Sequence, residues 1–263
     1  MELSARLRKQ IITAASEAYP HEMCGVVIDG EFIRLKNTSQ DPVNHFEIDV
    51  KALARVEDRG EIQAYVHSHP DGTAIASALD KHQIELHGKP WMICAYPDID
   101  IQVFEPCGYK APLIGRNYYH GWQDCYSLVR DFYGRELGIK LLDFERNDAW
   151  WESKDHASLY LENYTATGFY EVSEPKYGDV LICRVGRTEH PNHALIWLGD
   201  KWQLKSEQVE QCIGSTLVLH HPYNHASKRE IYGQNWAERT VKILRHKDYK
   251  HEVQNNPVSW HSA

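Results

Sequence analysis

The 263-residue chain contains no apolar run approaching the eighteen or more residues of a membrane-spanning helix, and its mean hydropathy is −0.56. A membrane span is therefore not expected. It also lacks any Cys-x-x-Cys pair: its six cysteines, Cys24, Cys94, Cys107, Cys125, Cys183 and Cys212, are scattered. That spacing argues against a disulfide scaffold or a thiolate metal knuckle, so reduced thiols are expected. Long Lys/Arg blocks are absent, and 37 acidic side chains outweigh 29 basic ones for a formal charge of −8. The electrostatic footprint of a nucleic-acid binder is missing. Met1 to Pro20 is interrupted by Glu2, Arg6, Arg8, Lys9 and Glu17. It thus has no secretory apolar core, and synthesis and folding in a cytoplasm are expected. No internal repeat or low-complexity tract occurs, and 42% hydrophobic with 11% aromatic content excludes a disordered chain.

What is present reads as two domains. Leu3, Leu7, Ile11 and Ile12 with Ala14, Ala15 and Ala18 recur at helical spacing, closed by Pro20. Apolar runs at Cys24 to Ile28 and Phe32 to Leu35 flank Asp29-Gly30, a hairpin signal. A second helix over Asp49 to Asp58, a strand over Ile62 to His67, a third helix over Ser77 to His87, and strands near Trp91 to Tyr96 and Ile99 to Phe104 complete an α/β unit. Pro106, Gly108, Pro112 and Gly115 then break the pattern, and the boundary is expected near residue 110. Charge differs across it: 17 acidic and 11 basic side chains precede it, against 20 and 18 after. The second half, 111–263, opens on a helical pattern from Cys125 to Leu137 ended by Gly138, with a further helix around Ala157 to Tyr164. Strands follow at Val180 to Val185, His193 to Leu198, Thr216 to His220 and Val241 to Arg245, an α+β order.

Two sets of residues carry chemistry. Tyr65-Val66-His67-Ser68-His69-Pro70 puts two histidines two apart at the end of a strand, hence on one face. Asp80 follows, with Ser77 one helical turn before it. Two His and one Asp suit a catalytic zinc, which takes three protein ligands and lowers the pKa of water toward neutrality. Glu22, in Pro20-His21-Glu22-Met23-Cys24-Gly25, stands just before a strand, where a general base is useful. This order, a Glu and then His-x-His, seven residues of which the first is Pro, and Ser-x-x-Asp, resembles the JAMM (MPN-type) metallopeptidases over roughly residues 1–105. The resemblance implies Zn2+ held by His67, His69 and Asp80, Glu22 as base, and Ser77 as hydrogen-bond donor to the oxyanion. Cys24, in an apolar strand, reads as a buried structural thiol.

In the second half, Gly121-Trp122-Gln123-Asp124-Cys125-Tyr126-Ser127 sets a cysteine at a helix N-terminus with Asp124 as cap. The helix dipole and a nearby imidazolium are expected to favour the thiolate there. Tyr177-Gly178-Asp179 precedes one strand, His193 opens the next after His190-Pro191-Asn192, and His220-His221 closes a later one. This succession resembles the papain-like NlpC-type cysteine peptidases. It implies Cys125 as nucleophile, His193 as base and His220 as orienting residue, with His221 competing for that role.

A JAMM-type unit fused to an NlpC-type unit resembles the tail-tip assembly proteins of lambda-like phages and prophages. This implies other tail-tip proteins as partners, assembly in the host cytoplasm and residence at the virion tail tip. It also implies zinc-dependent amide or isopeptide hydrolysis by the first unit, and cleavage of γ-D-glutamyl to diamino-acid bonds in peptidoglycan stem peptides by the second. A cytoplasmic deconjugase of a ubiquitin-like modifier and a mainly structural assembly factor are the alternatives.

Overall fold

The computed structural model describes residues 3–146, 150–152 and 158–250. The chain forms two compact units, Met1–Ala111 and Pro112–Ala263. The first is α/β: α1 (Ala5–Ala18), β1 (Cys24–Ile28), β2 (Glu31–Leu35), α2 (Val50–Glu57), β3 (Ala64–Pro70), α3 (Ala78–His87), β4 (Trp91–Tyr96) and β5 (Ile101–Phe104). Its five strands run in the order β2-β1-β3-β4-β5. Only the β3/β4 pair is parallel, as the crossover through α3 requires.

Alternation along the strands builds a core on each face of this sheet. Val27, Ala64, Val66, Met92 and Cys94 pack with Leu7, Ile11, Ala14 and Ala15 of α1. Val26, Ile28, Tyr65, Trp91 and Ile93 pack with Val56 of α2 and Ile84 of α3. β1 is buried throughout, as a strand covered on both sides must be. The hairpin turn falls at Asp29-Gly30, both at positive φ. β3 runs further than the Ile62 to His67 of its sequence pattern: His69 and Pro70 still pair with Ala95 and Tyr96, so both histidines lie within the strand, toward its C-terminal end.

The second unit contains α4 (Cys125–Phe132), α5 (Leu159–Asn163), β6 (Phe169–Glu171), β7 (Val180–Cys183), β8 (His193–Gly199), β9 (Leu217–His220), β10 (Lys228–Ile231), α6 (Gln234–Ala237) and β11 (Thr240–His246). Its antiparallel sheet has the order β10-β9-β8-β7-β11-β6. Leu128, Val129 and Phe132 of α4 pack on Val180, Ile182, Ala194, Ile196 and Leu219, while Leu181, Leu195 and Val218 meet Trp197 and Trp236 on the opposite side. The two units are thus the expected α/β and α+β units.

Five elements depart from the sequence reading. The helix from Cys125 is α-helical only to Phe132. It widens into a π-type turn over Tyr133–Leu137 before Gly138, at φ 72°, ends it. The helix expected over Ala157 to Tyr164 is the shorter α5, and Ala157 lies outside the described residues. β6, β10 and α6, of three to four residues each, are too short to show a period.

Gly25 shows how tightly β1 is enclosed. A Cβ there would lie 2.3 Å from the Ile33 carbonyl oxygen and 2.6 Å from the Phe32 ring. Gly25→Ala is expected to cost about 3 kcal/mol and to lower the melting temperature of the 1–111 unit by about 10 °C or more, as read by scanning calorimetry. An unmoved transition would show that the β1/β2 pair can yield.

Candidate functional site

In the first unit, β3 and the N-terminus of α3 converge. The i, i+2 spacing sends His67 and His69 to one face of β3, where the His67 ring stacks on Phe46 at 4.8 Å and meets Trp91 edge-on. Asp80 is presented by the cap of α3: the Ser77 hydroxyl accepts from Asp80 N at 3.1 Å, and Ser77 N donates to Asp80 Oδ2 at 2.8 Å. The outcome is a cluster in which His67 Nε2 lies 3.0 Å from His69 Nε2 and 3.2 Å from Asp80 Oδ1, and His69 Nε2 lies 3.5 Å from Asp80 Oδ2.

These separations fit a divalent ion. Donors at about 2.0–2.1 Å from a tetrahedral zinc are spaced about 3.3–3.4 Å apart, close to the separations observed, of which the two to Asp80 run to different carboxylate oxygens. The donor chemistry agrees. His69 Nδ1 is held 2.7 Å from the Thr73 carbonyl oxygen, an arrangement in which it donates and leaves the Nε2 lone pair turned toward His67 and Asp80. Two imidazole nitrogens 3.0 Å apart need a shared proton or a cation between them. Burial would raise the Asp80 carboxyl, but hydrogen bonds from His67, His69 and Ser77 outweigh it and hold the group far below the usual carboxylate range. Burial also holds the His67 imidazole below its ordinary value.

Glu22 is buried beside this cluster. Burial pushes its carboxyl up to about 8, with the His69 charge opposing and Asp80 adding to the rise. Its position is fixed through the chain: Glu22 N donates to the Pro42 carbonyl, and Asn37 Nδ2 donates to the Glu22 carbonyl. The neighbouring Met23 is locked to Ser68, the residue between the two histidines, by Met23 N to Ser68 Oγ at 2.8 Å and Ser68 N to Met23 O at 2.9 Å. The segment bearing Glu22 and the strand bearing both histidines are thereby registered to each other. Cys24 is fully buried, and burial raises its thiol to about 12.

In the second unit, Asp124 caps α4, its Oδ1 accepting from Ser127 N at 2.8 Å. The buried Arg146 binds the same carboxylate, donating from Nε to Oδ2 at 2.7 Å, and its Nη2 donates to the Gly121 carbonyl and to Ser127 Oγ. This anchors Cys125 at the first turn of α4. His193 and His220 form a pair, with Nε2 of the first 3.0 Å from Nδ1 of the second. Trp236 stacks on His193 and stands edge-on to His220. Glu230 Oε1 lies 3.3 Å from His220 Nε2 and also accepts from Trp236 Nε1. His221 is buried against Tyr118, and it is His220 that meets His193.

Two features differ from expectation. Burial opposes the thiolate that the helix N-terminus favours: it and, second, the adjacent Asp124 charge push the thiol up to about 11. Nor is there an imidazolium, because burial drives His193 well below its ordinary value and His220 to about 4. The resting pair is thus thiol and neutral imidazole. Among the described residues, the hydrogen bond of Cys125 Sγ runs to Tyr160 Oη at 3.1 Å and not to His193. The tie to His193 is through Ala194, the next residue, whose backbone favours the thiolate. Tyr160, Glu230 and Trp236 escaped the sequence reading, since each lies on a short element far in sequence from the residue it touches.

Residues 4–104 match the family described as prokaryotic homologs of the JAB domain, and residues 115–245 match the NlpC/P60 family. The protein is therefore of the class that joins a JAB-type domain to an NlpC/P60-type domain. Over 245 residues it is 34% identical to the tail tip assembly protein K of Escherichia phage N15, covering 91% of this chain and 94% of that one. Over 199 residues it is 38% identical to the tail tip assembly protein K of Escherichia phage lambda, covering 74% and 87%. The chain belongs to the tail tip assembly protein K family. A 114-residue stretch is also 28% identical to the desampylase of Haloferax volcanii, covering 37% of this chain and 81% of that protein.

The buried histidines set an acid limit on the second unit. His220 and His221 are both lowered to about 4 from an ordinary 6.5, chiefly by burial. Between those values the unfolded chain binds more protons than the folded one, so acidification favours unfolding. Stability of the 112–263 unit is expected to hold above about pH 6.5. It should then fall by up to roughly 3 kcal/mol per histidine as the pH drops to about 4. Urea titrations followed by tryptophan fluorescence measure this, and a flat profile over that window would contradict it.

Proposed function

We propose that the chain is a phage tail-tip assembly protein carrying two amide-hydrolysing sites, assembled in the host cytoplasm and carried to the virion tail tip beside other tail-tip proteins. The observation that carries the first site is the convergence of His67 Nε2, His69 Nε2 and the Asp80 carboxylate at separations that suit zinc. A zinc ion held by these three residues supplies Lewis acidity toward a scissile carbonyl and lowers the pKa of water at the site. Glu22, buried beside these ligands, takes a proton from water and returns it to the departing amine. The exposed Ser77 hydroxyl accepts from Asp80 N and keeps its own proton to donate to an oxyanion. The substrate class is an amide or isopeptide bond.

The second site is a thiol peptidase acting on peptidoglycan stem peptides at the γ-D-glutamyl to diamino-acid bond. Cys125 is the nucleophile. His193 takes the thiol proton, and His220, backed by the Glu230 carboxylate, fixes the His193 tautomer. Because both members rest neutral, the proton moves as the sulfur attacks, and no preformed ion pair is needed.

A deconjugating role for the first unit has one observation in its favour, the likeness to a desampylase. The match to tail tip proteins over 91% of the chain favours the tail-tip reading.

Elemental analysis of the purified protein is expected to give close to one zinc per chain, and Asp80→Ala close to none; wild-type protein without metal after zinc loading would overturn the first site. For the second, incubation with muropeptides should release fragments, and Cys125→Ala should abolish the release. Intact muropeptides with wild-type protein would refute that substrate.

A further inference from the structure

Tyr160 lies outside both sets of residues read from the sequence, yet it makes the hydrogen bond to the proposed nucleophile, Oη to Cys125 Sγ at 3.1 Å. Aromatic neighbours hold it in place. The ring meets Trp150 at 5.7 Å and Tyr126 at 6.4 Å, both edge-on, and lines an apolar cavity with Val129, Phe169 and Ala194. Ser158 caps the short helix that carries it, accepting from Leu161 N.

A thiol and a phenol can each donate to the other, but a thiolate has no proton, so once the sulfur is ionised only the phenol can donate. Burial and the Cys125 charge push the Tyr160 phenol well above its ordinary value, so it keeps its proton throughout the neutral range. Of the other groups acting on the sulfur, Asp124 opposes the anion, while Arg146 and the Ala194 backbone favour it. His193 rests neutral.

We infer that Tyr160 is a catalytic residue of the thiol site, donating a hydrogen bond to Cys125 Sγ as the sulfur becomes anionic. The S–H bond breaks and its proton passes to His193. The sulfur forms a bond to the scissile carbonyl carbon, the C–N bond then breaks, and the amine leaves with the proton from His193. Tyr160 gives up no proton at any stage. The inference rests on the reading of Cys125 as nucleophile.

Alkylation of Cys125 by iodoacetamide as a function of pH, resolved from the other thiols by peptide mass spectrometry, tests it without a substrate. A hydrogen bond to a charged partner makes a difference of roughly ten- to hundredfold. Tyr160→Phe is therefore expected to raise the alkylation midpoint by about one to two pH units and to lower kcat/KM on muropeptides by a similar factor. Incorporation of 3,5-difluorotyrosine in place of Tyr160, a stronger donor, should lower the midpoint. An unmoved or lowered midpoint in Tyr160→Phe overturns the inference, as does a loss of kcat/KM with the midpoint unchanged. Should Tyr160→Phe fail to fold by circular dichroism, the fluorinated protein decides alone: a lowered midpoint supports the inference and an unmoved one overturns it. Muropeptide release surviving Cys125→Ala would instead overturn the nucleophile reading, an outcome separate from any midpoint shift.

Discussion

Two imidazole nitrogens and a carboxylate, each within 3.5 Å of another and largely removed from water, form the constraint on which the first unit turns. Bringing these groups together without a cation leaves buried lone pairs facing one another, an expensive arrangement unless a proton is shared. The surrounding fold acts to keep them there. The β3/β4 pairing extends the strand past His69, the capping box of α3 aims Asp80, and Thr73 fixes the His69 ring. Ser68, facing away between the two histidines, ties the same strand to the segment that bears Glu22.

The second unit meets a different difficulty. The residues proposed as its nucleophile, base and orienting group, Cys125, His193 and His220, are all withdrawn from solvent, and burial disfavours their charged forms. The proposed thiol chemistry would draw on neutral donors and local dipoles more than on a standing ion pair. The helix N-terminus, which by itself would favour a thiolate, is offset by the desolvation of the sulfur and by the Asp124 cap that makes the helix start where it does.

Much of this was legible in the sequence because its determinants are local. His-x-His on a strand and Ser-x-x-Asp at a helix start each fix their geometry within a few residues, so His67, His69, Ser77 and Asp80 could be named before any coordinates. Order along the chain also singled out His193 and the His220/His221 pair, but not which of the two would meet His193. That choice is made by the fold, which puts His220 beside His193 and His221 against Tyr118. Tyr160 and Glu230 were invisible for the same reason: their partners lie 35 and 10 residues away on other elements, and no period links them. A helix terminus can be read from sequence, whereas the depth at which a sulfur is buried cannot, so the opposing effect of burial on Cys125 was not legible.

The account rests most directly on the ligand set of the first unit. X-ray absorption at the zinc edge of the metal-loaded protein should find a four-coordinate shell of nitrogen and oxygen donors at about 2.0–2.1 Å, including two imidazoles and no sulfur. A sulfur shell at about 2.3 Å, or a shell of oxygen alone, would contradict it.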